Sequence, residues 1–231
     1  MEAGIPITDA LSLLLKGDSE LWQVIAISFK VSTLAILIAA LPAILLGFLL
    51  AYGRFFGRRL LISLFNTLLA VPAVVVGLTL YILLSRQGPL GEWKLLFSQT
   101  AMVLGQIFLC FPILVAMSHT AFQSTDLRAW ETAKTIGASP LQAFILILGE
   151  VRFALLGAIV AAYGRIIAEV GASMMLGGNI LHYTRNIPTA IVLETSKGQL
   201  AQGIALGIVL LLLSFILVML LHYLQGKGQI E

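Results

Sequence analysis

The sequence predicts an all-α integral membrane protein with about five membrane-spanning helices. Three observations point to that class. Of the 231 residues, 59% are hydrophobic and only 11% are charged, where an ordinary soluble domain is about 25% charged. The mean hydropathy is +1.02. No Asp, Glu, Lys or Arg occurs in 31–53, 60–85, 95–125 or 198–226, and each stretch exceeds the roughly 20 residues that cross a bilayer core as a helix. A net charge of +3 would hint at nucleic acid in a soluble protein. Here the basic residues fall at predicted helix ends, which is ordinary membrane topology, and no nucleic-acid partner is expected. The single cysteine, Cys110, excludes an internal disulfide and reads as a small buried hydrophobe.

Along the chain, residues 1–20 form a polar tail with an amphipathic patch (Ile7, Leu11, Leu14, Leu15) and lack the basic start and apolar core of a leader peptide. The first span covers 22–52 and contains Pro42. A loop at 53–59 follows, with Arg54, Arg58, Arg59 and no acid. The second span, 60–85, contains Pro72. The loop 86–98 turns at Gly88-Pro89 and carries an interface-type Trp93. The third span, 99–121, contains Pro112. Interior prolines predict kinks, which membrane helices tolerate where neighbouring groups satisfy the freed carbonyls. A polar stretch at 122–142 leads to the fourth span at 151–174. A Gly- and Asn-containing loop then runs to Lys197, and the fifth span covers 198–223. Three arginines in 53–59 face an acidic excess in the first 20 residues. The positive-inside rule therefore puts that loop in the cytoplasm, the N-terminus outside and the C-terminus inside. The whole chain, 1–231, reads as one transmembrane domain.

The polar stretch carries dense start and stop chemistry. Asp126 can cap a short helix. Leu127, Trp130 and Ala133 share one side of it, and Glu131 and Lys134 form a surface i,i+3 pair. Gly137 suits the left-handed position just past a helix end. Ser139, Pro140 and Gln142 then make a capping box with proline in the first turn. The product is a short helix, a glycine turn and a second helix entering the membrane. A plain connecting loop needs little of this. A docking element, which passes force from a soluble partner to the spans, accounts for all of it.

Arg165 and Glu169 stand at i,i+4 in the fourth span. Charges inside a span are costly and face a partner or a watery cavity. Two readings stay open: the pair lines or gates a path, or it is a structural ion pair near the outer membrane face. Gly171, Gly177 and Gly178 allow close packing or a backbone break, or mark a helix end with a turn. Asn179 can hydrogen-bond at such a break. Arg185, beside Thr184 and Asn186, can present paired N–H groups to an oxyanion, or stand as a solvated loop arginine. His182 has no partner at metal-ligand spacing.

Glu131-Thr132-Ala133, with Gly137 four residues on, resembles the EAA motif of ABC importer permeases. Thr132 replaces the usual second alanine. Ile147 fits the apolar position ten residues after the glycine, and Gly149-Glu150 stand where Leu-Pro is usual. The block from Arg165 through Glu169 and Gly171 to Gly178-Asn179 resembles permeases for sulfate, molybdate and tungstate. The run 187–198, following Thr184-Arg185, is most similar to the tungstate branch. The resemblance implies a type I ABC importer permease fold in the cytoplasmic membrane of a prokaryote. It implies a homodimer, a cytoplasmic ATPase that binds ATP and Mg, and an extracytoplasmic substrate-binding protein, with no cofactor on this chain. It further implies ATPase coupling through Trp130, Glu131, Thr132, Ala133 and Gly137, and a translocation path or gate at Arg165, Glu169, Gly171, Asn179 and Arg185.

No G-x-x-x-x-G-K-[ST] phosphate loop occurs in the chain, so ATP chemistry by that route belongs to a partner. A membrane-embedded enzyme needs a nucleophile, a metal or an acid–base set, and none is visible. The alternative to an ATP-driven permease is an ion-coupled secondary transporter. That class predicts paired repeats and more intramembrane carboxylates than Glu169.

Overall fold

The computed structural model describes residues 19–124, 135 and 137–226. Among these residues there is no strand. Eight α-helices and one 3-10 turn follow in order: α1 (Ser19–Tyr52), α2 (Arg58–Leu68), α3 (Ala73–Leu84), the turn Gly91–Trp93, α4 (Gln99–Gln123), α5 (Pro140–Ile167), α6 (Gly171–Gly177), α7 (Ile187–Ser196) and α8 (Leu200–Gly226). By length and composition α1, α4 and α5 can each cross a bilayer, and the bent pair α2–α3 makes up to a fourth crossing.

The core is the packing of α1 on α4 and of α4 on α5. Ala35, Ala39, Ala43 and Gly47 fall four residues apart, and the three alanines are almost fully buried. Small residues at this spacing let membrane helices approach backbone to backbone, which is what drives their association in lipid. At Gly47 a Cβ would lie 2.7 Å from the Ser118 Cβ of α4 and 3.0 Å from the His119 backbone nitrogen. Val31, Cys110, Leu114 and Ile166 fill the same cluster. Cys110 is a free, buried thiol, as its place in an apolar run predicts.

Two poles can be told apart by their contacts. At one, Tyr52 at the end of α1 donates to the Phe122 carbonyl at the end of α4 (3.0 Å). Phe48 stacks edge-on against Phe122 and Phe144. At the other, Gln23 meets His182 (2.5 Å), and Gln99 donates to the Tyr183 carbonyl (2.6 Å).

Three departures from the expected elements have clear physical causes. The stretch 60–85 is not one kinked helix: α2 and α3 meet at 102°. Pro72 sits at the N-cap of α3 with φ −62 and ψ 134. Proline has no N–H, and it pushes the residue before it out of the helical region, so the ladder stops there. By contrast Pro42 and Pro112 lie inside continuous helices. The fourth long helix ends at Ile167 rather than near residue 174, and a separate helix of about two turns, α6, follows. Finally, the region before Lys197 is not all loop. Asn186 caps α7 by accepting from the Thr189 N–H, while the Thr189 hydroxyl accepts from the Asn186 N–H (both 3.1 Å), and Pro188 fits the first turn.

The capping box at the start of α5 is present as expected. The Gln142 N–H donates to the Ser139 hydroxyl (3.3 Å), and the Ser139 N–H donates to the Gln142 side chain (2.8 Å). Gly137 adopts φ +85, the left-handed conformation expected just past a helix end. The amphipathic patch before residue 19 and the short helix over Asp126 to Lys134, with Trp130, Glu131, Thr132 and Ala133, lie outside the described residues.

Candidate functional site

Arg165, Glu169 and Gly171 come together at the junction of α5 and α6. Arg165 occupies the last turn of α5. Glu169 lies beyond the helix end, so the two are not a pair along one helix, and the usual order rule for such pairs does not govern them. Glu169 Oε2 accepts from Arg165 Nη1 (2.6 Å), and Glu169 Oε1 accepts from the Gly171 N–H (2.9 Å). The arrangement suits both helix dipoles. The cation sits at the C-terminal end of α5, and the carboxylate at the N-terminal end of α6. Glu169 is nearly buried, with a side-chain exposure of 10%, whereas Arg165 is 46% exposed.

Gly171 is small because α3 passes close by. A Cβ there would lie 2.8 Å from Val74 and 3.4 Å from the Glu169 carboxylate. One α-turn further, Gly77 of α3 meets the backbone of Ala172, with 2.9 Å from an added Cβ to the Ala172 Cα. The short helix α6 is thereby wedged against α3, and Leu176 packs over Gly105 of α4. Buried Gln106 of α4 donates to the Ile166 carbonyl (3.3 Å), which also accepts from the Glu169 N–H (3.2 Å) at the end of α5. Sequence reasoning overlooked Gln106. Its signal was a long amide side chain inside a charge-free apolar run, where an unpartnered amide is expensive.

Arg165 also lines a cleft of about 170 Å³, walled by Phe65, Leu68, Val76, Phe108, Phe111 and Pro112 among others. The cleft opens where α2 and α3 break. It holds one cation in otherwise apolar surroundings, and that cation is half neutralised by Glu169.

Asn179 and Arg185 are placed elsewhere. Gly178 (φ +69) and Asn179 (φ +51) are successive left-handed residues that end α6, and Asn tolerates that region better than most side chains. The Asn179 Oδ1 is buried with no hydrogen-bond partner among the described residues. Arg185 pairs with Glu20 at the start of α1 (2.9 Å) rather than with Arg165 or Glu169. It lines a second, smaller cleft with Glu20, Glu194 and Gln202. Glu20 pairs with Arg185, and Glu194 pairs with Lys197 (3.0 Å), so the guanidinium in that cleft is already matched by a carboxylate and has little charge left for an anion. The Arg185 neighbourhood is built by Thr184, a fully buried residue that the sequence offers with Arg185 and Asn186 as a donor to an anion. Its hydroxyl donates to the Gly177 carbonyl (2.6 Å) and accepts from the Ile180 N–H (2.9 Å). No cluster of three or more metal-ligating His, Cys, Asp or Glu residues occurs among the described residues.

Comparison with known proteins places this architecture. Residues 43–227 match the family model described as the binding-protein-dependent transport system inner membrane component. The chain belongs to that family. Among relatives of this permease, the tungstate uptake system permease protein TupB of Campylobacter jejuni is 41% identical over 94% of this chain and 90% of its own. The molybdenum transport system permease protein ModB of Escherichia coli K12 is 32% identical over 84% of this chain and 91% of its own. A crystal structure of a bacterial ABC transporter that imports the acidic polysaccharide alginate superposes with a TM-score of 0.78, at 17% identity, over 98% of this chain and 85% of the other. At that identity the likeness speaks for the fold alone. The all-helical ABC importer permease fold is therefore the fold of this protein, which is a membrane transport subunit rather than an enzyme.

Proposed function

We propose that this permease is the translocating subunit of an ATP-driven importer of an oxyanion, tungstate or its near twin molybdate. The observation that carries this reading is the 41% identity to a tungstate uptake permease across nearly the full length of both chains. In this reading two copies form the path, a separate ATPase binds ATP and Mg on the cytoplasmic face, and an extracytoplasmic binding protein delivers the anion. The chain crosses the membrane five times, with α2–α3 as the bent second crossing and α8 as the fifth. The N-terminus is outside and the C-terminus inside. Trp130, Glu131, Thr132 and Ala133 dock into the ATPase, and the glycine turn at Gly137 transmits the motion to α5 through its capping box.

Arg165 is the anion contact in this scheme. An arginine offers paired N–H groups to oxyanion oxygens, and passage needs a contact weak enough to release. Glu169 supplies that weakness by holding one face of the guanidinium. It also supports a permease rather than a proton-coupled carrier. Both of its oxygens already accept hydrogen bonds, which fits a positioning residue and not a shuttling acid. Gly171 and Asn179 shape the two ends of α6, while Arg185 ties the outer pole to α1.

The test is uptake into proteoliposomes that contain this chain, its ATPase and its binding protein. Tungstate, molybdate and sulfate are compared with and without internal ATP. The reading expects ATP-dependent uptake of tungstate or molybdate that requires all three components. Uptake that follows a proton or sodium gradient and ignores ATP would overturn it.

A further inference from the structure

Three arginines stand within six residues where the chain passes from α1 into α2, and the structure gives them different roles. Arg58 folds back on α1. Its Nε donates to the Leu50 carbonyl (2.6 Å) and its Nη2 to the Ala51 carbonyl (3.1 Å). Those carbonyls are the unsatisfied end of a 34-residue helix, where a cation is favourable. Arg54 and Arg59 are exposed and make no hydrogen bond or ion pair among the described residues. Arg59 stands in the first turn of α2, which contains no acid, so the helix dipole repels it. An anion beside Arg59 would be favourable there, and no described residue in that turn supplies one.

Between the arginines stands Phe56, fully exposed at 105%. Leu60 (74%) and Leu64 (47%) follow at four-residue spacing. Leu60 and Leu64 therefore share one exposed apolar stripe on α2, and Phe56 stands just ahead of it, before the left-handed N-cap Gly57. Apolar and aromatic side chains beside unpaired arginines, at the end of a membrane helix, match the chemistry of the headgroup boundary. The rings and leucines enter the acyl region, and the cations meet phosphate. A docking ATPase would supply protein groups to the arginines but no lipid-like surface for the stripe that runs down α2.

We propose that Arg54 and Arg59, anchored by Phe56, form a binding site for the phosphate of an anionic phospholipid, with Arg58 serving only to close α1. The test uses the full-length chain in nanodiscs of phosphatidylcholine with or without phosphatidylglycerol. Native mass spectrometry reads which lipid stays bound after release, and thermal unfolding is followed in parallel. Each arginine near an anionic surface is worth a factor of about five in affinity. The wild type is therefore expected to retain phosphatidylglycerol over phosphatidylcholine by at least about tenfold, and high salt should reduce that preference. Arg54→Gln/Arg59→Gln should lose the preference while unfolding as the wild type does in pure phosphatidylcholine. Arg58→Gln should keep the preference but unfold earlier in both lipids.

Phe56→Ser should weaken retention with the arginines intact. The single variants Arg54→Gln and Arg59→Gln give the same reading if the double variant fails to fold. A wild type without lipid preference, or a double variant that keeps it, overturns the proposal. So does displacement of the lipid by inorganic phosphate, which would mark a free-anion site. If the double variant loses only association with the ATPase, the patch belongs to that partner and the proposal fails.

Discussion

Glu169 Oε2 lies 2.6 Å from Arg165 Nη1 although the helix that carries Arg165 ends two residues before Glu169. The carboxylate reaches back across the break, and its second oxygen holds the first N–H of the next helix. One side chain thus fastens the end of α5 to the start of α6. Glu169→Ala removes both acceptors and leaves a Gly171 N–H in a tightly packed junction, at a cost of about 1–3 kcal/mol. Glu169→Gln keeps an acceptor for Gly171 and should cost less. Thermal unfolding of the purified variants measures the difference, and equal losses would mean that the Gly171 bond contributes nothing.

Arg165 should behave differently. A half-exposed ion pair contributes about 0–1 kcal/mol to stability, so Arg165→Gln should barely move the unfolding midpoint. If the guanidinium meets the anion in transit, the same change should cut ATP-driven uptake by at least about tenfold, the loss expected for a charged hydrogen-bond donor. A variant that unfolds earlier yet transports normally would instead assign Arg165 a purely structural role.

The contacts of α6 predict an asymmetry between two glycines. At Gly77 an added Cβ lies 2.9 Å from the Ala172 backbone, whereas at Gly105 it lies 2.4 Å from the tip of the Leu176 side chain. Backbone cannot step aside, but a leucine can change rotamer. Gly77→Ala should therefore destabilise by about 1–3 kcal/mol, and Gly105→Ala by less. Comparing the two unfolding midpoints decides it, and a larger loss at Gly105 would contradict the geometry.

Thr184→Val keeps the shape of a fully buried residue and deletes a hydroxyl that serves both Gly177 and Ile180. Leaving those two backbone groups unpaired should cost about 1–3 kcal/mol, while Thr184→Ser should restore most of it. Failure of the serine variant to recover stability would indicate that the methyl group, not the hydroxyl, does the holding.

No described residue lies within 4 Å of the position a Cβ would take at Gly137, yet its φ is +85. Backbone strain is therefore the cost of substitution that the geometry gives. Gly137→Val should impose about 1–2 kcal/mol of left-handed strain and uncouple uptake from ATP. Gly137→Asn, which tolerates that region, should retain most activity. Transport and ATPase rates measured together read the outcome, and intact coupling in the valine variant would detach the turn from the docking role.

Some features are legible one residue at a time because their causes are local. Charge-free runs longer than a bilayer is thick announce membrane helices wherever they occur. The Ser139–Gln142 capping box and the left-handed Gly137 follow from side-chain and backbone chemistry confined to a few neighbours. The four-residue spacing of Arg165 and Glu169 is visible in the sequence, but the geometry of their bond is not. A helical register assumed across residues 165–169 hid the break that gives Glu169 its second bond. The sequence reading expects loop up to Lys197 and so misses α7, although Asn186, Pro188 and Thr189 spell its capping box.

What the sequence determined by itself is the class: an apolar chain must satisfy its backbone within helices when water is absent. Only the tertiary structure decided that Pro72 breaks the second span at 102° while Pro42 and Pro112 do not. Each of those prolines removes one donor and crowds one carbonyl, and the outcome depends on which neighbours fill the gap. Ala35, Ala39 and Ala43 of α1 and Leu114 of α4 sit in one tightly packed core that keeps those two helices whole. The freed end at Pro72 instead lets α3 swing across to receive α6, at Gly77 and Gly171. Arg165 is thereby half exposed to a cleft while Arg185 is tied to Glu20. That division depends on contacts between residues as many as 165 positions apart, which no local pattern encodes.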